Sequence, residues 1–450
     1  MKMFKKYRVL GLLGKGGMGT VYKAAMPQTE KIVALKVCEP RDTLVNILGI
    51  KEIRRRFIRE ATTMARLRHP NIAEVWDMDE DNGKPFFVME YYCNNLGAMI
   101  GETYEDAPSR PLSVDASILY ARQALTALAR LHHAGIIHMD VKPYNMMITD
   151  EDTIKLIDFG VSKLRGEQLE GPGSIKMGTP HYVAPEQEDN PDMADERSDL
   201  YSVGIMLYRM LTGRLPAGKT NAGDLNPDLD ESWHRFLKRS FHPEKENRFE
   251  DAAHMLTALN RLSEAWEEKK AKTCALNEAP SLPEQSFAGA DVSTLRSAPV
   301  KVGLKQARAL FDTDDMWRPR SRAPHVFRDN GDGTVLDETA KLLWERGGSP
   351  YPITWYEAQN YPVELNNQGF AGYSDWRLPT VNELMSLFVE NIGPYPYCFE
   401  SVFDTTQQRI WSADKKSFVA AWYADAKLGF VWWQDFTCYF YVRLVRSLKG

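Results

Sequence analysis

The feature that most constrains the fold of this chain is a glycine-rich run between two strand-like segments. The run, residues 14–19, reads Gly-Lys-Gly-Gly-Met-Gly, and largely apolar strand-like residues precede and follow it. Glycines lack a Cβ, so their backbone amides can approach phosphate groups closely. A dinucleotide-binding fold would require a helix directly after the glycines, whereas this chain continues as a strand. The run alone leaves two interpretations open, a plain hairpin turn or a loop that covers phosphates.

A lysine further along the chain favours the second interpretation. Lys36 ends an apolar, strand-like segment over residues 33–35. A lysine ammonium buried on such a strand is costly unless an anionic partner lies close to it. Lys36 therefore predicts phosphates and a carboxylate in its surroundings.

Size and composition set broad limits on the fold and its partners. With 450 residues, the chain is long enough for two to three domains of about 100–200 residues each. Hydrophobic residues at 43% and charged residues at 26% are typical of a globular protein. The net charge of −5 provides no basic field for nucleic acid. We therefore expect folded domains and no nucleic-acid partner.

The cysteine and apolar patterns bear on the location of the protein. The five cysteines are sparse and irregularly spaced, and none forms a Cys-x-x-Cys pair, so a disulfide scaffold is excluded and the reducing cytosol fits best. The N-terminal residues lack the apolar core of a signal peptide. No apolar run approaches the ~20 residues that a membrane span needs. These patterns predict a cytoplasmic protein with no membrane span.

The composition changes twice along the chain. Residues 1–262 mix strand-like and helix-like segments, including a helical stretch that follows Ser113 and is stopped by Gly135. Residues 263–325 are first charged and then rich in Ala, Pro and Ser, which is typical of a linker. Residues 326–450 are rich in tryptophan. We predict a first domain over 1–262, a linker over 263–325 and a second domain over 326–450.

Three further motifs follow Lys36 in a fixed order. They are His138-Met139-Asp140-Val141-Lys142-Pro143-Tyr144-Asn145, Ile157-Asp158-Phe159-Gly160 and Ala184-Pro185-Glu186. Together with the glycine run and the lysine, they match the ordered signatures of protein kinases. Residues 1–262 therefore resemble a bacterial Hanks-type serine/threonine protein kinase, which implies a bilobal fold.

The resemblance implies that ATP and Mg²⁺ are bound and that each motif takes part in phosphoryl transfer. Lys36 would contact the α- and β-phosphates and pair with Glu60. Glu52 is the competing carboxylate, and we prefer Glu60 for its distance from the His-Pro-Asn turn at 69–71. The other implied roles are Asp140 for orienting the acceptor hydroxyl, Lys142 for neutralising the transferring phosphoryl group, and Asn145 and Asp158 for holding Mg²⁺.

The resemblance also implies a nucleotide site. Met89 would stand as gatekeeper, and the backbone of Glu90 and Tyr92 would contact adenine. An apolar strand in a core would show the same pattern over 86–92, so this alternative stays open. The implied ATP-binding residues are Leu13, Gly14, Gly16, Gly19, Val21, Ala34, Lys36, Met89, Glu90 and Tyr92.

Met139 departs from the family pattern, in which an arginine usually precedes the catalytic aspartate. That arginine binds a phosphate on the activation loop, and methionine has no charge for this contact. We therefore expect that phosphorylation of the activation loop, where Ser174 and Thr179 lie, is not the switch. Regulation by another part of the chain, or constitutive activity, follows as the hypothesis.

The second domain resembles a different family. The turn at 330–334, the Gly-Tyr-Ser-Asp-Trp-Arg-Leu-Pro-Thr segment at 372–380 and the Tyr-Val-Arg segment at 441–443 resemble the Lcl C-terminal domain family. This resemblance implies a C-type-lectin-type α+β fold that binds a ligand or partner. Similar lectin-type domains are the variable ligand-binding targets of diversity-generating retroelements.

An aromatic cluster near the C-terminus has two interpretations. It forms a ligand-binding face, because aromatic side chains give a large contact area with few rotatable bonds, or it fills a small core. We favour the face, since two adjacent tryptophans on a strand must point to opposite sides. Its candidate residues are Trp411, Trp422, Trp432, Trp433, Phe436 and Tyr439.

The sequence thus predicts a multidomain α+β protein, with a bilobal protein-kinase fold, a linker and a C-type-lectin-like domain. The expected activity is ATP- and Mg²⁺-dependent phosphorylation of Ser or Thr in protein substrates, and the second domain recruits a substrate or regulates the kinase through an unknown ligand or partner. The alternative is a catalytically silent scaffold with a retroelement-diversified ligand-binding domain. The residues whose loss usually marks silent relatives are all present: Lys36, Asp140, Asn145 and Asp158.

Overall fold

The computed structural model describes residues 2–159, 162–165, 179–218, 220–276, 295–321, 324–389 and 398–448. The chain divides into two compact units, Met1–Lys272 and Thr273–Gly450. Both units mix helices with antiparallel sheets, so the predicted multidomain α+β class is confirmed. In the described residues, no helix is both long enough and apolar enough to cross a membrane.

The first unit begins with a six-stranded antiparallel sheet in the order β1-β2-β3-β4-β6-β5. Alternating apolar side chains close a small core on one face of this sheet, around Phe4, Val33 and Phe86. The strands are β1 (Met3–Phe4), β2 (Tyr7–Lys15), β3 (Thr20–Ala25), β4 (Ile32–Val37), β5 (Val75–Asp81) and β6 (Lys84–Glu90).

The glycine-rich run forms the turn between β2 and β3. The Gly16 amide donates to the Gly19 carbonyl at 2.8 Å and closes the turn. A Cβ at residue 19 would lie 2.4 Å from the carbonyl oxygen of Val37, closer than real Cβ contacts allow, so only glycine fits there. The turn therefore rests directly on the end of β4, the strand that carries Lys36.

Two helices follow β4. They are helix α1 (Asp42–Leu48) and helix α2 (Ile50–Arg66), and the second of them carries Glu60. Helix α2 has a strong apolar stripe, with Ile53, Phe57 and Met64 buried at helical spacing,. Glu60 lies on the same buried face, where a carboxylate requires a partner.

The rest of the first unit is mainly helical. Its longest buried helices are α4, capped by the Ser113 hydroxyl as the sequence predicts, and α6, which is buried on nearly all sides. The elements are β7 (Asn94–Asn95), α3 (Leu96–Ile100), α4 (Val114–His133), β8 (Ile136–Ile137), β9 (Met146–Ile148), β10 (Ile154–Leu156), β11 (Lys163–Leu164), α5 (Pro185–Asp189), α6 (Glu196–Thr212), α7 (Ala222–Leu225), α8 (Glu231–Ser240) and α9 (Ala252–Leu276), with 3₁₀ turns at Pro143–Asn145, Pro191–Met193 and Lys245–Asn247.

The second unit has short helices and three small sheets, in the orders β12-β13-β14-β20, β15-β19 and β16-β17-β18. Trp344 and Trp422 are fully buried in its core, together with Phe311. The elements are α10 (Leu304–Phe311), β12 (Phe327–Asp329), β13 (Thr334–Asp337), β14 (Leu342–Glu345), β15 (Ile353–Thr354), α11 (Trp355–Ala358), α12 (Tyr361–Gln368), α13 (Val381–Met385), β16 (Arg409–Lys415), β17 (Ala420–Asp425), β18 (Phe430–Asp435), β19 (Tyr439–Phe440) and β20 (Val445–Ser447), with a 3₁₀ turn at Phe370–Gly372.

The segment predicted as a linker, residues 263–325, is folded at both ends. Helix α9 continues through it to Leu276. From residue 295 onward the chain packs on the second unit, where Arg296 pairs with Asp414 at 2.7 Å and Phe311 and Trp317 enter the core. The stretch has the overall composition of a linker, but a few of its residues make contacts that hold it on the second unit. These contacts explain the difference from the prediction.

Candidate active site

A cavity of about 1010 Å³ is lined by both the sheet and the helical part of the first unit. Glycines from the β2–β3 turn form one wall, and residues that follow β8 and β10 form another. The predicted site residues that line it are Gly14, Gly16, Gly19, Val21, Lys36, Glu60, Met89, Asp140, Lys142, Asn145, Asp158 and Thr179. The structure thus brings segments that are far apart in the sequence into one cleft.

Other predicted residues stand outside the lining. Leu13 is 44% exposed, and Ala34 is buried within β4. Glu90 is the last residue of β6 and Tyr92 follows it, and neither lines the cavity; the contacts expected of them involve the backbone. Ser174 lies outside the described residues.

Lys36 joins two carboxylates inside the cleft. Its Nζ lies 2.6 Å from Oε1 of Glu60 and 2.9 Å from Oδ1 of Asp158. Lys36 and Glu60 are buried, whereas the side chain of Asp158 is 44% exposed and faces the cavity. The lysine therefore connects β4, α2 and the segment after β10.

Burial and ion pairing act in opposite directions on these groups. Burial raises the pKa of Glu60 to about 7, although the Lys36 ammonium partly opposes it. Enclosure in the cleft also disfavours a charged Asp158, but the Lys36 ammonium outweighs it and lowers the pKa of this carboxyl well below its usual value. Burial would lower the pKa of Lys36, yet the carboxylates of Asp158 and Glu60 raise it. Lys36 and Asp158 are therefore charged at neutral pH.

The two candidate partners for Lys36 are separated clearly by the structure. Glu60 points inward to the lysine, while Glu52 lies one face away on α2 and pairs with Arg55 at 2.7 Å and Arg56 at 2.6 Å. The arginines beside it lower the pKa of Glu52 to about 2, the hydrogen bond from Arg55 being the largest cause. Glu52 thus contacts residues of its own helix and not Lys36.

A second cluster surrounds Asp140. Lys142 Nζ lies 2.6 Å from Oδ2 of Asp140, and the Thr179 hydroxyl donates to Oδ1 at 2.9 Å. Lys142 also donates to the Thr179 hydroxyl oxygen at 2.8 Å. The Asn145 amide donates to the Asp140 carbonyl at 2.8 Å. One carboxylate, one cation and one hydroxyl are therefore held in mutual contact at the cavity wall.

A buried aspartate holds the backbone of this cluster. Asp199 on α6 accepts the amides of His138 at 2.9 Å and Met139 at 2.8 Å, and its carboxylate also contacts His132 at 2.8 Å. Met139 has a φ of 67°, a conformation that costs energy for a residue with a side chain and persists only when its surroundings impose it. The two hydrogen bonds from Asp199 supply that constraint.

The side chain of Met139 packs in a small apolar cluster with Ile137 and Ala194. It is 2% exposed and offers no charge to a phosphate. On the far side of the same region, Glu186 forms a two-pronged ion pair with Arg248, at 2.7 and 2.8 Å. These contacts fix the segment after Thr179 without a phosphate.

The residues present fit a Mg²⁺ ion bound with a nucleotide. Asn145 directs its amide nitrogen to Asp140, which leaves its amide oxygen as a donor, and Asp158 is an ionised carboxylate at the cavity. Hard oxygen donors of this kind are what Mg²⁺ prefers, with substrate phosphates completing the shell. The described residues contain no cluster of three or more His, Cys, Asp and Glu suited to a metal ion.

The sequence analysis missed Glu102, which lines the cavity beside Asp140. Its carboxylate pairs with Arg209 on α6 at 3.1 Å, and neither side chain has any exposed surface. The Tyr182 hydroxyl donates to it at 2.5 Å and the Tyr104 amide at 2.7 Å, while its carbonyl accepts the Tyr144 hydroxyl at 2.8 Å. Glu102 therefore ties α6 to the segment after Thr179 and to the segment that carries Asn145. The sequence holds no motif around Glu102 that signals this role.

The predicted ligand face of the second unit is mostly core. Trp411 and Trp422 are 0% exposed and Phe436 is 4% exposed, while Trp432 and Trp433 are partly buried against the core. Tyr439 alone among the six is well exposed, at 52%. The prediction fails because β17 is buried at all six positions, so its tryptophan does not reach a free surface.

Each of the two units matches a known protein family. Residues 7–272 match the profile of the protein kinase domain, and residues 333–446 match that of the Lcl C-terminal domain. The serine/threonine-protein kinase pkn3 of Myxococcus xanthus is 39% identical over 222 residues, which cover 47% of this chain and 38% of the relative. The serine/threonine-protein kinase PksC of Streptomyces coelicolor is 31% identical over 371 residues, which cover 81% and 63%.

Among solved structures, a double mutant of the Mycobacterium tuberculosis PknI kinase domain is 27% identical, with a TM-score of 0.45. The match covers 58% of this chain and 98% of that domain. The chain spans about two fifths of the length of the first curated relatives that it matches.

Replacing Glu60 by glutamine should lower kcat/KM for phosphate transfer by about tenfold to a hundredfold, because Lys36 loses the carboxylate that positions it. Steady-state transfer from labelled ATP to a generic basic protein measures this change. Glu52→Gln, the competing carboxylate on the same helix, should lower the rate much less, because its partners are Arg55 and Arg56 and not Lys36. Equal losses in the two variants would contradict the assignment of Glu60.

Replacing Glu102 by glutamine should destabilise the first unit by about 3–5 kcal/mol, because Arg209 is left as an uncompensated buried charge. Urea unfolding measures this loss of stability. The transition of the first unit is identified as the one that ATP with Mg²⁺ shifts to a higher urea concentration. Glu105→Gln, an exposed change in the same loop, should stay within about 0.5 kcal/mol. A similarly small change for Glu102→Gln would show that the buried pair does not hold these elements.

Proposed function

The chain belongs to the protein kinase family, and we propose that it transfers the γ-phosphoryl group of ATP to serine or threonine hydroxyls of proteins. The observation that carries this proposal is that Lys36, Asp158, Asp140 and Lys142 line one cavity together with the glycine turn. Phosphoryl transfer requires positioning and charge neutralisation rather than covalent chemistry by the protein. These groups supply both.

We assign the roles from charge and contact. Lys36, held by Glu60, binds the α- and β-phosphates. Asp140 accepts the hydrogen bond of the acceptor hydroxyl and orients it toward the phosphorus atom, and Lys142 neutralises charge on the transferring group. Asn145 and Asp158 would hold Mg²⁺, which would supply positive charge to the phosphates. The glycine turn covers the phosphates with backbone amides and excludes water.

Thr179 supports the choice of acceptor. Its hydroxyl bridges Asp140 and Lys142 at the place where an acceptor hydroxyl must approach. A short aliphatic alcohol from a serine or threonine side chain fits beside these groups in the same way. The position of Lys142, two residues after Asp140, also resembles the pattern of the serine/threonine kinases and not that of the tyrosine kinases.

For the whole chain we propose a kinase domain over 1–262, a connection over 263–325 and a ligand-binding domain over 326–450, in the cytoplasm. The second domain binds a partner protein and brings it to the kinase as substrate. The described residues up to Leu276 and from residue 295 belong to the folded units, which supports domains that extend beyond the bounds predicted from the sequence. The lectin-type fold of the second domain stays a prediction.

Phosphate transfer from labelled ATP with Mg²⁺, to the protein itself and to a generic basic protein, tests the proposed activity. We expect transfer by the wild type, recovered as phosphoserine and phosphothreonine, and its loss by a factor of at least about a thousand in Asp140→Asn. Undiminished transfer by Asp140→Asn would contradict the assigned role. No transfer by the wild type, with ATP binding intact, would favour the silent scaffold.

The apolar setting of Met139 gives a second prediction. Ser174→Ala should leave the transfer rate unchanged, because Met139, which stands where the family has its phosphate-binding arginine, has no charge. Thr179→Ala should lower the rate by about tenfold to a hundredfold, since it removes hydrogen bonds to two charged groups, while Thr179→Ser should restore it. Initial rates on the basic protein measure all three variants, and a large loss in Ser174→Ala would contradict the hypothesis.

A further inference from the structure

The turn between β16 and β17 in the second unit carries exposed apolar side chains that neither the core nor the proposed reaction uses. Phe418 is 82% exposed and Val419 is 62% exposed. Both lie in the turn that joins β16 to β17, residues 416–419. Backbone amides of this turn donate hydrogen bonds to the Ala420 carbonyl and close it. Exposed apolar side chains that form a contiguous patch mark interaction sites, whereas single scattered ones do not.

Three lysines surround this turn. The backbones of Lys301 and Lys415 lie side by side in a parallel bridge, and Lys416 follows directly. The Lys301 ammonium lies 3.6 Å from the centre of the Phe418 ring, and that of Lys416 lies 3.2 Å from the centre of the Trp433 ring. We name this surface the basic aromatic patch, and its members are Lys301, Lys415, Lys416, Phe418 and Val419.

The three ammonium groups lack acidic partners in the part of the chain that the structure describes. By contrast, Arg377 in the same unit pairs with Glu383 at 2.6 Å. The contacts of the patch lysines are instead with aromatic rings, including that of Lys415 with Trp355 at 4.8 Å. Burial lowers the pKa of Lys416, because no carboxylate compensates for the water it has lost.

We propose that the basic aromatic patch binds a carboxylate-rich peptide segment of a partner protein. An apolar residue of the segment packs on Phe418 and Val419, while flanking Asp or Glu side chains pair with the three ammonium groups. Charge complementarity carries this choice, since three lysines in or beside this turn have no carboxylate partner among the described residues, and one of them lies against the exposed Phe418 ring. The inference rests on the proposed function, for which it names the class of protein that the second unit recruits.

The composition of the patch argues against other anionic partners. Phosphate groups are usually recognised by arginine forks or by clustered backbone amides, and the patch contains no arginine. Nucleic acid is tracked by extended basic stripes, whereas three lysines on one turn of a chain with a net charge of −5 form only a local site. Separate ammonium groups match separate carboxylates.

Fluorescence anisotropy with the full-length protein tests the proposal. The probe is a fluorescein-labelled peptide of glutamates around one central tryptophan, and a matching peptide with glutamines in place of the glutamates controls for charge. We expect the glutamate peptide to bind the wild type and the glutamine peptide to bind at least about tenfold more weakly. The double variant Lys301→Glu with Lys416→Glu should also weaken binding of the glutamate peptide by about tenfold or more.

Lys341→Glu is the control for a lysine-to-glutamate change away from the patch, at an exposed turn between β13 and β14 of the same unit; it should leave binding unchanged. The milder double variant Lys301→Gln with Lys416→Gln should give an intermediate loss, and near-ultraviolet circular dichroism checks the fold of each variant. Equal binding by wild type and the double glutamate variant would overturn the proposal. So would absent binding of the glutamate peptide, or tighter binding of a phosphoserine peptide or single-stranded DNA.

The outcome is independent of the proposed activity. Binding is measured without ATP and repeated in Asp140→Asn, which the proposal expects to bind as the wild type does. Phosphate transfer without peptide binding would remove the inference and leave the kinase assignment intact. Peptide binding without phosphate transfer would support the patch and count only against the kinase assignment.

Discussion

The buried ion pair between Lys36 and Glu60 is the contact on which the rest of the candidate site depends. It joins β4 to α2 at 2.6 Å, and through its second carboxylate, Asp158, the lysine reaches the helical part of the unit. The attraction within a buried ion pair offsets the free energy of desolvation only when the geometry of the pair is good. Loss of one partner leaves an uncompensated buried charge. The sheet, the helix and the segment after β10 are therefore held in one arrangement around the cavity.

The opposite wall of the cleft uses the same device. Glu102 and Arg209 are fully buried, and the carboxylate also accepts the Tyr182 hydroxyl, so the segment after Thr179 is tied to α6. Asp199, on the same helix, fixes the strained backbone at Met139. Buried, hydrogen-bonded carboxylates thus set the position of both the nucleotide side and the acceptor side, and none of these contacts requires a phosphate on the chain.

The sequence predicted what local motifs encode and missed what only packing creates. Lys36 and Asp140 belong to ordered signatures, so their meeting in one cavity follows from the kinase resemblance. Glu102 belongs to none, and its role exists only because the fold places Arg209 opposite it. The adjacent Trp432 and Trp433 on β18 favoured a ligand face, but β17 is buried at all six positions and holds Trp422 in the core, so the sequence pattern did not distinguish surface from core there. The exposed Phe418 and Val419 lie in the turn that follows β16.

The central claim is that the chain's own contacts assemble the site without activation-loop phosphorylation. The most direct test is the progress curve of phosphate transfer to a basic protein by enzyme that has first been treated with a phosphatase, which is then removed. The account predicts product formation that is linear from the first time point, at the rate of untreated protein. A lag that disappears after preincubation with ATP and Mg²⁺ would contradict it, because the site would then depend on a phosphate that the protein adds to itself.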